Sequence, residues 1–127
     1  VPIAISQDDE QQQMTVAVSD PWSVEEIAIS IDRQLADHTW KYGTLYDLRG
    51  SGWIPSEPDV LWLVRRGQQQ VARHGARGPV AVLIDASQHV DVVRKYADYS
   101  AEHGHVLVRV FDEVEVARAW LAQHRLE

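Results

Sequence analysis

Five consecutive residues, Val80 to Ile84, are apolar at every position. A short unbroken run of this kind lacks the alternation of a strand open to water on one side. It suits a parallel strand covered on both faces, and this one is expected at the centre of a sheet. Parallel neighbours need crossover connections, so the rest of the chain should alternate strands with helices.

The sequence before and after Val80 follows that pattern. Val1, Ile3 and Ile5 alternate along one extended segment, and Met14, Val16 and Val18 along a second. The polar residues 7–12 between them are short enough to join an antiparallel hairpin. Thr44 to Leu48 and His105 to Phe111 supply two further strands. Between these lie helical stripes with apolar residues three and four apart: Val24, Ile27, Ala28, Ile31 and Leu35, then Val60, Leu61, Val64 and Val71. Val90, Val93, Ala97 and Ala101 form the third stripe, and Val114, Ala117 and Leu121 the fourth.

The boundaries carry their own signals. Ser23 precedes Glu26 by three and Ser56 precedes Asp59 by three, which is capping-box spacing, and Pro58 fits a first helical turn. Asp85 or Ser87 can cap the third helix and Asp112, with Glu115, the fourth. Gly75 and Gly78 stop the second helix, and Gly104 is placed as the left-handed residue after the third. The order is strand, strand, helix, strand, helix, strand, helix, strand, helix. It predicts a single α/β domain over residues 1–127, a mixed sheet of about five strands with an antiparallel N-terminal hairpin at an edge, the rest mostly parallel, and four helices.

Composition narrows the function classes. Hydrophobic residues at 45% and charged residues at 24% describe a globular chain. No apolar run approaches the roughly 20 residues that span a bilayer, and the N-terminus lacks the basic flank of a signal peptide, so a cytoplasmic protein is expected. With no cysteine there is no disulfide, thiolate nucleophile or cysteine metal site. A formal charge of −7 repels phosphate backbones and argues against nucleic acid as a partner. One segment runs the other way: Arg65 to Arg77 holds four arginines and no acid. It reads as a solvated helix face or, more sharply, as a docking patch for an acidic partner.

The closing segment from Val108 to Leu121, with Phe111, an acid after it, and then Ala117, Ala119, Trp120 and Leu121, is similar to the strand and final helix of SpoIIAA-like proteins. These are relatives of the STAS domain of bacterial anti-sigma factor antagonists. The helix opening at Ser23 and the strand Thr44 to Gly50 with its Asp47 add to the resemblance, which covers nearly the whole chain. It implies a small fold used for contact with a protein or ligand rather than for catalysis. In STAS domains a serine opening the helix after the third strand is phosphorylated to break a complex, and by order along the chain Ser56 falls nearest that place. Its surroundings differ, with Pro55 before it and Glu57, Pro58 and Asp59 after it. A phosphate there would stand beside two carboxylates, and Ser56 reads as a helix cap.

Other chemistry is thinly represented. Asp85, Ser87, His89 and Asp91 are the residue types of a hydrolase triad, but positions two apart on a helix face different ways, and no nucleophile elbow is present. His103 and His105 are the one close histidine pair and lack further ligands at metal-site spacing. No catalytic residue, metal or cofactor is expected. The candidate crevice is the rim formed where the third and fourth strands end, with Arg49, Ser51, Trp53, Ser56, Asp85 and Ser87 around it. Arg49 would contact an anion and Trp53 would form an apolar wall. Two functions compete: a non-catalytic interaction domain for a protein partner or a second copy, and a binding module for a small anionic or lipid-like ligand in that crevice. Of the five tryptophans, Trp120 is expected in the core and Trp62 partly outside it.

Overall fold

The structure, a computed structural model, describes residues 3–52, 56–85, 90–102 and 106–126. Its elements are β1 (Ile3–Asp8), β2 (Gln13–Ser19), α1 (Val24–Ala36), β3 (Gly43–Gly50), α2 (Glu57–His74), β4 (Val80–Leu83), α3 (Val90–Glu102), β5 (Val108–Phe111) and α4 (Val114–Gln123). The strands form one sheet in the order β1-β2-β3-β4-β5. β1 is antiparallel to β2 and every other pair is parallel. The α/β class, the edge hairpin and the four helices match the sequence reading. β4 lies between β3 and β5 with no residue more than 4% exposed, while the middle strand of the five is β3.

Side-chain alternation sorts the sheet into two unlike faces. One row across it reads Ile5, Val16, Tyr46, Val82 and Val110. That row faces the main core, where Val24, Ile27 and Ile31 of α1, Leu63 of α2 and Tyr96 of α3 pack. The neighbouring row reads Ser6, Thr15, Leu45, Ala81 and Arg109. It is apolar only in its middle, and there α4 sits, burying Ala117, Trp120 and Leu121 against Leu45, Ala81 and Leu83. Among the described residues α4 alone packs on the middle of that face, and the β1–β2 half beside it is left uncovered by helix.

Two helix starts form as the sequence prescribes. Ser23 and Ser56 accept from the amides of Glu26 and Asp59, whose carboxylates accept from the serine amides in return. Three local expectations change. α4 is capped by Glu113, not Asp112, with no side-chain cap bond, so its start is fixed by packing of Ala117 and Leu121. Leu63, not Leu61, completes the buried stripe of α2, because the core meets the helix through Val60, Leu63 and Val64. The basic run from Arg65 to Arg77 is not one solvated face: Arg65 and Arg73 are exposed, Arg66 is half-buried, and Arg77 is buried.

Two glycines shape the turn before β4. Gly75 ends α2 at φ 88°, a left-handed conformation that suits glycine. At Gly78 a Cβ would lie 2.3 Å from the Tyr42 carbonyl oxygen, so only glycine allows this segment to lie against the turn that leads into β3. No described helix is long and apolar enough to cross a membrane.

Candidate functional site

Of the rim residues expected at the ends of the third and fourth strands, Arg49, Ser51, Ser56 and Asp85 are among the described residues, and they lie at or beyond the carboxyl ends of β3 and β4. Arg49 is brought back onto Asp47 of its own strand: Nε donates to Oδ1 at 3.0 Å and Nη2 to Oδ2 at 2.9 Å. The Arg49 guanidinium holds the Asp47 carboxyl below the usual carboxylate range, and Asp47 in turn raises Arg49, with Asp85 adding to the effect. Arg49 and Asp85 therefore do share one neighbourhood. The charge of Arg49 is already matched by a forked carboxylate, so an anionic ligand would have to displace Asp47.

Ser51 has a different task. It is 1% exposed and its Oγ accepts from Trp22 Nε1 at 2.6 Å and donates to Asp20 Oδ1 at 2.9 Å. The second Asp20 oxygen accepts from the Gly52 amide at 2.6 Å. Asp20 and Trp22 thus pin the loop after β3 to the loop after β2. A buried hydroxyl that both accepts and donates in this way is part of the packing of the rim, not a group presented to a substrate.

Ser56 stands exposed at the start of α2 as its N-cap. Next to it Glu57 accepts from the Tyr99 hydroxyl at 2.8 Å and faces Lys95 at 3.6 Å, which together hold its carboxyl low and tie α2 to α3. Trp53 and Ser87 lie outside the described residues, as do His89, the His103 and His105 pair, and Gly104. Among the described residues no group of three or more His, Asp and Glu side chains could hold a metal ion.

Three arrangements were not singled out from the sequence, although Trp62 was expected partly outside the core, as it is, and Arg77 was noted as part of a basic run. On the half-open sheet face a groove of about 560 Å³ runs between the β1–β2 hairpin and α4. Its wall is Arg118, whose Nη2 donates to Thr15 Oγ1 at 3.2 Å. Its polar lining of Ser6, Asp8, Gln13 and Thr15 is legible only once the register places those residues on the face that α4 leaves bare. A second feature is the outer seam of α1 and α2. Arg66 pairs with Asp32, Gln70 donates to the other Asp32 oxygen, and Arg66 lies over the Trp62 ring at 5.7 Å. One turn before that pair on each helix, Ile29 is 63% exposed and Trp62 41% exposed. The sequence signal was there: both residues lie off the buried stripes of their helices.

The third feature is Arg77. It is 5% exposed, donates through Nη2 to Gln34 Oε1 at 2.7 Å and to the Tyr46 hydroxyl at 3.2 Å, and stacks 5.3 Å from the Trp40 ring centre. Gln34 itself donates to Thr44 Oγ1 at 2.7 Å. This buried polar cluster sits at the amino end of β3 and β4, opposite the rim that holds Arg49. No protein-family model matches the chain, and no curated protein matches it.

Proposed function

We propose that this protein is a non-catalytic interaction domain of the SpoIIAA-like kind, and that it holds a protein partner, a second copy included, on the outer seam of α1 and α2. Kinship with that family is part of the reading and is supported by the element order and by the closing pattern of Phe111, Ala117, Trp120 and Leu121. The observation that carries the docking face is the exposure of Ile29 and Trp62, each one turn before the Asp32–Arg66 pair on its own helix. Large apolar side chains next to a polar ion-paired rim are the composition of an interface centre, where tryptophan is enriched and contributes most. The rim at the strand ends supports the same reading from the other side. Its serine and arginine are engaged with Asp20 and Asp47, which favours a structural over a ligand-binding role there.

The test is a photo-crosslinking residue placed at Trp62 and, for comparison, at the exposed Glu10 in the hairpin turn, expressed in the source cell. A discrete adduct of defined mass from position 62 alone supports the reading. No adduct from position 62, or equal labelling from both positions, refutes it.

A further inference from the structure

The groove beside α4, at about 560 Å³, has the volume of a small-molecule site. Its lining carries charges of both signs. Arg118 stands on the α4 wall with Glu115 one turn before it, and Asp8 lies across from them at the end of β1. Asp8 is opposite Gln13 in the hairpin register, and Gln13 touches Arg118, so the charged side chains surround one patch of sheet. Opposite charges on one groove attract, yet these do not close on one another. Among the described residues no ion pair engages any of them.

Arg118 is positioned without being neutralised. Its Nη2 donates to Thr15 Oγ1 at 3.2 Å and its Nη1 to Gln13 Oε1 at 3.5 Å, both neutral acceptors and the second at the limit of a hydrogen bond. Gln13, 5% exposed, donates in return to the Arg118 carbonyl at 3.3 Å and fixes that wall. The remaining guanidinium N–H donors have no described acceptor, and they suffice for the forked grip that a carboxylate accepts. Asp47, on the same sheet face, does not take that place. Its carboxyl is held low first by the hydrogen bond from Arg49 and only last by the charge of Arg118. On the acidic side, one Asp8 oxygen accepts from the Gln11 amide at 3.0 Å, which leaves its other oxygen and the exposed Glu115 carboxylate facing the groove without a described partner.

We infer that this groove binds a small zwitterion, its carboxylate on the Arg118 fork and its ammonium toward Asp8 and Glu115. A simple anion would meet two carboxylates for one arginine, and a simple cation would meet Arg118. Only a ligand with both charges is matched by the whole lining, and the unmatched group rejects the others. Free amino acids and short peptides share this chemistry. The apolar part of the lining is limited to Ala119 and Ala122, so a small or polar side chain suits the remaining space. The site is on the opposite face of the sheet from α1 and α2 and does not depend on their docking face.

The experiment titrates the full chain by calorimetry with glutamine and triglycine as zwitterionic probes. N-acetylglutamine, which lacks the ammonium, and glutamine amide, which lacks the carboxylate, are the controls. At least one zwitterion should bind, and both controls should bind at least about tenfold more weakly, the effect of losing one charged hydrogen-bonded contact. Binding of glutamine alone supports a free amino acid as the ligand, and binding of triglycine alone supports a peptide. Arg118→Met should lose the binding, and Asp8→Asn/Glu115→Gln should no longer prefer glutamine to N-acetylglutamine. The comparison of probes on the natural chain stands even if a variant does not fold. A natural chain that binds neither zwitterion, or binds the controls as tightly, overturns the inference. So does binding that folded Arg118→Met leaves unchanged.

Discussion

Replacing Gly78 by alanine tests how closely the Arg77 segment is held against the start of β3. The new Cβ would stand 2.3 Å from the Tyr42 carbonyl oxygen and 2.5 Å from that of Lys41. Both obstacles are backbone, so relief requires the segment and the turn to separate by about 1 Å, judged against the ~3.3–3.6 Å of even a close carbon–oxygen contact. Two hydrogen bonds cross this junction, from the Gly78 amide to the Trp40 carbonyl at 3.1 Å and from the Thr44 amide to the Pro79 carbonyl at 2.9 Å. Weakening them costs about 1 kcal/mol each, and overpacking adds about 1–3 kcal/mol. The expected loss is about 3–5 kcal/mol, or roughly 10–20 °C in melting temperature for a domain of this size. Gly67→Ala is the internal control. Its Cβ meets open space in a helix, so it should gain about 0.5–1 kcal/mol. Urea unfolding of both variants, followed by tryptophan fluorescence, measures the pair. A Gly78→Ala loss below about 1 kcal/mol, inside the ordinary range for point substitutions, would refute the close approach.

Three further substitutions probe the rim and the cap. Ser51→Ala removes an acceptor for Trp22 and a donor to Asp20, and should cost about 1–3 kcal/mol in chemical unfolding. Ser56→Ala should lower stability by about 0.5–2 kcal/mol through loss of the α2 cap, read by the same assay. Asp47→Asn addresses pH. Because Arg49 depresses the folded pKa of Asp47, the pair's contribution is full above the ordinary carboxylate range and disappears as pH falls through the folded value. The melting temperature of Asp47→Asn should therefore fall less steeply in acid than that of the natural chain.

Most of the architecture was legible because it rests on local periodicity. The unbroken Val80–Ile84 run, the alternating hairpin and the two Ser-led capping boxes each encode their own geometry. What escaped depends on contacts distant in sequence. Arg77 looks like one more cation in a basic segment, and only the joint approach of Gln34, Tyr46 and Trp40 reveals that it is buried. Leu61 and Leu63 are equally apolar neighbours, and the angle at which α2 meets the sheet decides between them. At the rim, Arg49 and Asp85 were placed in one neighbourhood by strand order, but the engagement of Ser51 by Trp22 and Asp20 joins two loops and leaves no mark within either one. The polar groove beside Arg118 follows from α4 covering half a face, a property of the whole sheet.

The docking face on α1 and α2 is tested most directly by the sedimentation of the protein in native extract, compared with the double variant Ile29→Asp/Trp62→Asp. Both positions are exposed, so the variant should keep the natural melting temperature. The natural chain should sediment as a complex heavier than 14.4 kDa and the variant as the free chain. Identical sedimentation of the two, with both folded, would contradict the assignment of that face.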